Sequence, residues 1–396
     1  MNNNTIDFLN LQGLSYSDFS ENEKIIAVSA STSPSPQVCP ACGKTTSRIH
    51  GYRKQTIKDL PLRRKTLLIV LKKRRYICSC GKTFFEKYPF LPKYHRATSR
   101  FYAAILTELY SSDSLKSIAK RFSCSTNTVQ RMLDIASPDV GRALPAAIGI
   151  DEFKGNTDKE KYQCIITDLD TGKVFDILPK RNKSYLIDYF KGFSNRKEVK
   201  VFAMDMTNNY RSLSFLFPNA LVVADRFHYT RQVYWALDNV RKRIQKEFGT
   251  KKRKYFKHSR KLLFKAYDEL NEGNRQAVRV MLNQSNELYK AWRLKENLKY
   301  FRKATTREEA EKELYIWILE AEESGLAEFT PATTAFHHWW KEIINSVTCE
   351  YSNGRTEGYN NKIKVIKRNA YGFHSFKNFR KRILMNCMKS GNQAGA

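Results

Sequence analysis

The sequence lacks any apolar run approaching the roughly 18–20 residues that a helix needs to cross a bilayer. Its first 14 residues also lack a basic stretch followed by an apolar stretch, which is the pattern of a signal peptide. We therefore expect a protein that does not associate with membranes and stays in the cytoplasm.

Cysteine is scarce, with eight residues in 396. Because no export signal is seen, we do not expect a disulfide framework. Four of the cysteines form two close pairs, Cys39 with Cys42 and Cys78 with Cys80. Thiolates paired at such spacings indicate metal binding instead.

Acidic residues are few relative to basic ones, 39 against 70, which gives a formal net charge of +31. The basic residues also cluster: residues 39–100 contain 17 of them with two acidic residues, and residues 241–261 contain 11 with one. Such a surface attracts polyanions. This pattern favours nucleic acid as the partner over an anionic membrane or a merely solvated surface, as in a ribosome-associated protein.

The two cysteine pairs are typical of a zinc ribbon, in which two knuckles joined by a β-hairpin bind one structural Zn²⁺ through four thiolates. A glycine follows each knuckle and permits a tight turn. The second knuckle is one residue shorter than usual, so His50 is an alternative ligand, and four buried reduced cysteines are the structural alternative. Basic runs flank the strand predicted at residues 66–71, and they predict phosphate contacts by Arg63, Arg64, Lys72, Lys73, Arg74 and Arg75.

Residues 114–133 contain two short helical patterns separated by a turn. Apolar residues share one face of each helix, at Leu115 and Ile118 and at Val129 and Leu133. The arrangement resembles a helix-turn-helix whose second helix enters a major groove, although an ordinary pair of helices would show the same pattern. The candidate contacts with bases or phosphates are Ser125, which is also a good N-cap, and Thr126, Asn127, Gln130 and Arg131.

From residue 146 onward the pattern changes to short buried strands, predicted at 146–150, 162–167, 173–178, 198–204 and 220–224. Helical stretches separate the last three strands, and residues 229–350 are helical throughout. Three strands, a helix, a strand, a helix and a strand predict an α/β core, and the family resemblance described below implies that its mixed sheet is of the RNase-H-like type. The helical block would interrupt this core as a large all-α insertion.

Two carboxylates follow predicted strands of this core. Asp151 ends the first strand and Asp205 ends the fourth, and these strands lie side by side in an RNase-H-like sheet. Carboxylates held together repel unless cations bridge them, and two-metal phosphoryl transfer uses such a pair. Asp225, at the end of the fifth strand, and Glu152, beside Asp151, are rival positions. A single Asp at a strand end is more often a helix cap or turn residue.

A third carboxylate should come from a later helix packed on the sheet. Glu357 fits, because Asn353 or Thr356 can cap a helix that carries Glu357 in its first turn. A basic stretch follows on the same helix. Its candidate DNA contacts are Lys362, Lys364, Lys367 and Arg368.

Several motifs carry a resemblance to a known family: Gly149-Ile-Asp-Glu152, Met204-Asp-Met206, Val223-Ala-Asp-Arg-Phe-His228 and Ser352-Asn-Gly-x2-Glu-Gly-x-Asn-x2-Ile-Lys364. Together with Cys39-Pro-Ala-Cys42-Gly43, His50-Gly-Tyr52 and Asp59-Leu-Pro61 near the N-terminus, they resemble the ISL3 family of bacterial insertion-sequence transposases. The resemblance covers roughly residues 25–385.

The resemblance implies a DDE transposase whose catalytic carboxylates are Asp151, Asp205 and Glu357. They would bind two Mg²⁺ ions, or Mn²⁺ in their place. Asp225 and His228 belong to a family motif and would orient metal, water or DNA. The implied reaction is cleavage and transfer of DNA strands at the terminal inverted repeats of an insertion sequence. The implied partners are double-stranded DNA, as element ends and as target, and a second copy of the chain in the synaptic complex.

These interpretations predict six regions along a chain that works at the bacterial nucleoid. They are an N-terminal segment and linker (1–36), a zinc-binding domain (37–95), a helix-turn-helix domain (96–140), the first part of the catalytic core (145–228), the helical insertion (229–350) and the C-terminal core helices (351–390). Two alternatives stay open: a DNA-binding regulator derived from such an enzyme, and an RNase-H-like nuclease that cuts without joining.

Overall fold

The computed structural model describes residue 11 and residues 13–136, 138, 140–256 and 259–388. The chain forms two units. The first contains the described residues before position 139, residues 365–373 and the described residues after 376; the second contains the rest. Among the described residues, no helix is both long and apolar enough to cross a membrane.

The N-terminal part of the first unit is a five-stranded sheet with the order β1-β2-β6-β5, in which β7 pairs with β6. Strands β2 and β6 are parallel and the other neighbours are antiparallel. Two very short strands, β3 and β4, form a separate pair. The strands are β1 (Leu14–Glu21), β2 (Ile25–Thr32), β3 (Gln37–Val38), β4 (Thr45–Thr46), β5 (Ile49–Leu62), β6 (Lys65–Ile77) and β7 (Thr83–Phe85).

Strands β5 and β6 form a long hairpin. Leu67, Ile69 and Leu71 alternate with less buried neighbours, as expected for a strand with one face on a core. Arg63 and Arg64 make the turn with φ angles of 51° and 65°, the two positive values that a type I′ hairpin turn requires. Because β2 pairs with β6 in the same sheet, the expected boundary at residue 36 does not coincide with an edge of this sheet.

Three helices follow the sheet: α1 (Ser99–Glu108), α2 (Leu115–Arg121) and α3 (Thr126–Ile135). Ser125 is the N-cap of α3, as predicted, because its hydroxyl accepts a hydrogen bond from the backbone N–H of Thr128 at 3.2 Å. The predicted apolar faces meet in one small core, where Ile118, Val129 and Leu133 are fully buried.

The second unit is built on a five-stranded mixed sheet in the order β10-β9-β8-β11-β12. Strand β9 is antiparallel to β8 and β10, whereas β8, β11 and β12 are parallel. The strands and their connecting helices are β8 (Ala147–Phe153), β9 (Gln163–Asp168), β10 (Lys173–Leu178), α4 (Lys183–Lys191), β11 (Val201–Met204), α5 (Asn208–Arg211) and β12 (Leu221–Ala224).

Between β12 and Thr348, the described residues form eight α-helices, and short 3-10 helices join some of them. Their apolar residues form one continuous core with one face of the sheet, from Ile148 and Phe202 to Trp317 and Phe336. The helices are α6 (Arg226–Glu247), α7 (Thr250–Phe256), α8 (Ser259–Phe264), α9 (Glu272–Leu282), α10 (Asn286–Lys303), α11 (Arg307–Glu323), α12 (Thr330–His338) and α13 (Trp340–Thr348).

Helix α14 (Gly354–Asn369) begins on the opposite face of the sheet. The side chain of Asn353, directly before it, donates to the Ile150 carbonyl at 3.1 Å, and the buried hydroxyls of Thr356 and Thr167 lie 2.8 Å apart. Gly149 makes this approach possible. A Cβ at that position would lie 2.5 Å from Thr167 Oγ1 and 2.7 Å from Asn353 Oδ1, so any side chain would push the helix away.

The last helix, α15 (Phe376–Met388), packs within the first unit rather than in the catalytic core where we expected residues 351–390. Met385 lies in the core of α1, α2 and α3. Arg382 is 1% exposed, and its guanidinium donates to the carbonyls of Leu109, Ser111 and Asp113. Lys381 donates to the carbonyls of Leu133 and Asp134. The helix-turn-helix is therefore completed by a helix from the far end of the chain.

We predict that Arg382→Met will destabilise this domain by about 2 kcal/mol, because three carbonyls at the ends of α1 and its loop lose their donor in a buried place. Hydrogen exchange of the α1 and α3 amides, with thermal unfolding, measures the effect. Lys377→Met, at an exposed position of the same helix, is the control and should leave both unchanged. Unaltered protection of α1 in the Arg382→Met variant would contradict the packing described here.

Candidate active site, metal centre and nucleic-acid interface

Asp151 and Asp205 lie side by side at the edge of the sheet in the second unit. Ile150 of β8 and Met204 of β11 are paired neighbours in the parallel register, so the residues that follow them are adjacent. The predicted strand was too short, because β8 continues to Phe153 and Asp151 lies inside it. Asp151 and Asp205 are nevertheless adjacent, as the strand order predicted.

Asp205, Asp225 and His228 bring ligand atoms within 4.8 Å of one another. His228 Nε2 lies 3.1 Å from Asp205 Oδ1 and 3.9 Å from Asp225 Oδ2. Asp225 is also the N-cap of α6, since its Oδ1 accepts from the Phe227 backbone N–H at 3.0 Å. Asp225 therefore both caps α6 and belongs to the acidic cluster, two roles that the sequence analysis treated as alternatives.

Asp151 is held by two hydrogen bonds. Its Oδ1 accepts from the Glu152 backbone N–H and its Oδ2 from Asn360 Nδ2, each at 2.6 Å. Burial, and then the charge of Asp205 and a hydrogen bond to it, raise the pKa of Asp151 to about 8. Burial lowers the pKa of His228, but contact with Asp205 and the charges of both aspartates outweigh it, so the pKa is raised overall.

Glu357 lies in the first turn of α14, where its side chain is exposed. Its charge is close enough to act on Asp225, whose pKa is raised first by burial and then by the charges of Asp205 and Glu357. The rival Glu152 points to the other face of the sheet, as alternation along a strand requires. There it forms an ion pair with Arg181.

Asn360 is a site residue to which the sequence analysis gave no role. It is 9% exposed, one helical turn after Glu357, and it connects α14 to Asp151. The sequence feature that could have identified Asn360 is its spacing of three residues from Glu357, which puts both side chains at neighbouring positions on one face of the helix. Only the strand register, however, shows that this face lies against Asp151.

The arrangement suits a hard divalent cation. Carboxylate oxygens are the ligands that Mg²⁺ and Mn²⁺ prefer. Asp205 is 4% exposed, and its Oδ1 accepts no hydrogen bond of good geometry from the described residues. Asn360 Oδ1 is also buried and accepts no hydrogen bond from the described residues. Both oxygens are therefore available to an ion or to water bound to it.

The four paired cysteines of the first unit form a second candidate metal site. Cys39 Sγ lies 3.7 Å from Cys80 Sγ, and Cys42 Sγ lies 3.6 Å from Cys78 Sγ. Ligands at about 2.3 Å from a tetrahedral Zn²⁺ would be about 3.8 Å apart, so these separations fit zinc. A backbone hydrogen bond from Cys80 is the largest cause that brings the pKa of Cys78 down to about 6, which favours a thiolate there.

The short second knuckle does not distort this site. In the first knuckle the Gly43 N–H donates to the Cys39 carbonyl, and in the second the Gly81 N–H donates to the Cys78 carbonyl one residue sooner. Both glycines have positive φ, 72° and 84°. Each knuckle is thus closed by the same kind of bond, and His50 lies outside the cluster.

Most of the candidate DNA contacts of the helix-turn-helix are exposed to solvent. Thr126, Asn127 and Arg131 of α3 are exposed. Ser125 is exposed too, but its hydroxyl is engaged as the cap. Gln130 is half-buried and exchanges hydrogen bonds with Asn378 of α15, so part of its function is to hold that helix.

The candidate phosphate contacts of the β5–β6 hairpin also include both exposed and half-buried side chains. Arg63, Arg64 and Lys72 are exposed, with Lys72 stacked over Tyr52, and Arg75 is exposed although bonded to Thr83. Lys73 is half-buried, donates to Gln55, and its pKa is lowered by burial.

Arg74 is a correction, because it is 7% exposed and paired with Glu86 at 3.2 Å. Its guanidinium is enclosed by Glu86 and Thr32, so we remove it from the candidate interface.

The basic stretch of α14 contains one pair of exposed positions, Lys364 and Arg368, and one pair of half-buried positions, Lys362 and Lys367. Lys364 donates to Asn361 at 3.1 Å. This stretch begins directly after Glu357 and Asn360, so its first part belongs to the candidate active site.

Three family models match successive parts of the chain. The zinc-finger of transposases IS204, IS1001, IS1096 and IS1165 matches residues 35–80, and the helix-turn-helix domain of transposase family ISL3 matches residues 86–134. The transposase model of the same family matches residues 148–383, more than half of the chain. These matches define a DNA-binding transposase. The chain belongs to the ISL3 family of insertion-sequence transposases.

Curated relatives agree with this assignment. The transposase of insertion sequence element IS1001 from Bordetella parapertussis is 27% identical over 361 residues, 85% of each chain. The transposase of IS1557 from Mycobacterium tuberculosis is 23% identical over 58% of this chain and 57% of its own. A stretch of 50 residues is 52% identical to part of an ATP-dependent protease of Lactococcus lactis subsp. lactis, but it covers 13% of this chain and carries no argument.

We predict that the purified protein will contain one zinc ion per chain and that Cys78→Ser will reduce this to near zero, because three thiolates no longer close the tetrahedron. Mass spectrometry of the metal content measures it. Cys349→Ser, at a half-buried cysteine outside the cluster, is the control and should keep one equivalent. Full zinc content in the Cys78→Ser variant would contradict the ligand set.

A second prediction concerns pH. Because the folded pKa of Asp151 is raised above its usual 3.8 to about 8, the folded protein holds this proton more tightly than the unfolded chain. The resulting stabilisation is complete below about pH 4 and is lost as the pH rises towards 8. Asn cannot ionise, so without divalent cations Asp151→Asn should gain at least about 1.4 kcal/mol over the wild type between pH 5 and pH 8.

Denaturant unfolding at both pH values, without added Mg²⁺, measures this difference. Asp188→Asn, at an exposed position in α4, serves as the control and should follow the wild type at both values. Equal gains for the two variants would show that the environment of Asp151 is not the cause.

Proposed function

We propose that this transposase binds the terminal inverted repeats of an insertion sequence and catalyses metal-dependent DNA strand cleavage and transfer. The observation that carries the proposal is the group of carboxylates at one edge of the sheet, where the half-buried Asp151 and the buried Asp205 and Asp225 meet, with His228 3.1 Å from Asp205. Buried acids of like charge are costly to keep together unless they bind a cation. Phosphoryl transfer on DNA is the chemistry that such a cation would serve.

We propose an RNase-H-like fold for the catalytic core. The strand order supports it: counted along the chain, the strands are arranged 3-2-1-4-5, with the second antiparallel to its neighbours. The core would consist of residues 145–228 and the start of α14. The run of helices between β12 and α14 would be the insertion at 229–350, placed between the second and third catalytic carboxylates.

The catalytic residues in this proposal are Asp151, Asp205 and Glu357, which would hold two Mg²⁺ ions, or Mn²⁺ in their place. When bound, the ions would activate the attacking oxygen, first of water and then of a 3′-hydroxyl, and stabilise the leaving oxygen. His228 would keep Asp205 in position through the 3.1 Å contact. Asp225 would orient the same group and cap α6, and both residues are supporting in this sense.

DNA binding would be shared between modules of the first unit and the basic stretch of α14. The cysteine site, with structural Zn²⁺, would stabilise the knuckles of the basic hairpin, and Arg63, Arg64, Lys72 and Arg75 would contact phosphates. Thr126, Asn127 and Arg131, which are exposed at the start and middle of α3, would contact bases in a major groove. The phosphate contacts would give affinity, and the base contacts would select the repeat.

Two rival functions remain testable against this one. A regulator would bind the repeats without cutting them, and a simple nuclease would cut without joining. Against the regulator stands the complete carboxylate set, which binding alone does not need. We further propose that two copies of the chain join the two ends in a synaptic complex with target DNA, at the nucleoid in the bacterial cytoplasm.

We predict that Asp205→Asn and Glu357→Gln will each lower the rate of repeat-end cleavage in Mg²⁺ by at least about 10³-fold, because each removes a metal-holding charge. Binding to the same DNA should stay within about twofold of the wild type. Gel assays of cleavage and mobility shift measure the two quantities, and strand transfer into a plasmid distinguishes the transposase from a nuclease.

The matched control is Glu323→Gln at an exposed position of α11, which should cleave like the wild type. If Glu357→Gln cleaves normally while Asp205→Asn does not, the third carboxylate is assigned wrongly. If the wild type binds repeat ends but never cuts them, the regulator is the correct interpretation.

A further inference from the structure

Helix α6 exposes a row of stacked side chains beside the acidic cluster. Phe227, Arg231 and Trp235 are spaced by four residues, so they lie one above another on one helix face. The Arg231 guanidinium lies 5.2 Å from the Phe227 ring centre and 4.6 Å from that of Trp235. We call these three residues the stacking ladder.

Both aromatic residues of the stacking ladder are exposed. Phe227 is 47% exposed and Trp235 is 50% exposed. By contrast, Trp317 and Trp339 of the helical region are 2% and 6% exposed, and the indole N–H of Trp317 is bonded to the Leu294 carbonyl. Half of the Trp235 side chain is therefore left outside the packing of the second unit, in one patch with Phe227 and Arg231. Contiguous exposed patches, rather than single rings, mark binding surfaces.

The position of the ladder connects it with the active site. His228, which contacts Asp205, follows Phe227 directly, and Arg231 Nη2 lies 3.3 Å from His228 Nδ1. Arg231 Nε is buried and bonds to no described atom. The ladder is thus a continuation of the acidic cluster along α6, and whatever lies on it is adjacent to the bond that the cluster would cut.

The chemistry of the ladder fits a nucleobase. An aromatic ring or a guanidinium stacks on any base, and it does so without reading the sequence. A base inside a duplex has no free face, so the base must first leave its stack. The chain is strongly basic, which draws the DNA backbone to the surface and favours this occupant over an apolar protein segment.

We propose that Phe227, Arg231 and Trp235 bind one unpaired nucleobase of the DNA end, next to the phosphodiester bond to be cleaved. The proposal rests on the proposed function, since it assumes that DNA is cleaved at this cluster. The captured base would hold the strand open and position the bond. The ladder binds and positions the strand; it takes no part in the chemical step.

The test compares the cleavage rate of repeat-end DNA at saturating enzyme for the wild type and Trp235→Ala. We expect cleavage at least tenfold slower in the variant, with duplex binding within about twofold. A mismatch beside the cleaved bond, which leaves a base already unpaired, should bring the variant to within about threefold of the wild type. Trp235→Phe should retain most of the rate, because a ring still stacks.

A second variant, Phe227→Leu, guards against a folding defect, and thermal unfolding of each variant checks it directly. Tyr315→Ala is the matched control, since Tyr315 is 55% exposed on α11, and it should cleave like the wild type on both substrates. If the wild type does not cleave at all, the proposed function is wrong.

Three results would overturn the ladder proposal while leaving the function intact. They are a normal rate in both ladder variants, a slow rate that the mismatch does not restore, and a loss of duplex binding or of self-association equal to the loss of rate. The last would show that the ladder contacts duplex DNA or a second copy of the chain.

Discussion

Repulsion between closely placed carboxylates is the constraint on which the second unit depends. Asp151, Asp205 and Asp225 are brought together by the parallel pairing of three strands. Asp205 and Asp225 are buried and Asp151 is half-buried, so water screens the repulsion between their charges only in part. A fold accepts this cost where it is offset by contacts that only the native structure supplies. Here these are the imidazole of His228, the amide of Asn360 and the backbone N–H groups that bond Asp151 and Asp225. Each holds an acid in one orientation, so the site is ordered before any ion arrives.

The same constraint explains why α14 must approach the sheet closely. Its first turn carries Glu357 and its second carries Asn360, and Asn360 reaches Asp151 only if the helix backbone lies against β8. Gly149 provides the space and Asn353 provides the connection, through its bond to the Ile150 carbonyl. Two residues of the Gly-Ile-Asp sequence therefore serve the same contact. Gly149 leaves space for α14 to approach the sheet, and Asp151 accepts a hydrogen bond from the side-chain amide of Asn360 on that helix.

Local patterns predicted much of this structure, and non-local contacts account for what they missed. Alternating apolar residues placed the strands, and the order of those strands brought Asp151 and Asp205 together. The turn and cap residues of α3 were equally visible. Arg74, in contrast, looks like any basic residue of its run until Glu86 and Thr32 are seen to enclose it. Gln130 looks like a DNA contact until Asn378, 248 residues later, takes its amide. The spacing of Phe227, Arg231 and Trp235 was present in the sequence, but only their exposure gives it meaning.

Helix α15 has a consequence for how the protein is made. Ribosomes release the residues of α1, α2 and α3 long before those of Arg382 and Met385, and until then the carbonyls at the end of α1 lack their donor. The early fragment has its recognition helix but not the helix that closes its core. Pairing across so long a separation also slows folding. A chain interrupted during synthesis would therefore lack the helix that closes the core of its helix-turn-helix, and we expect it to hold DNA less firmly than the full chain does.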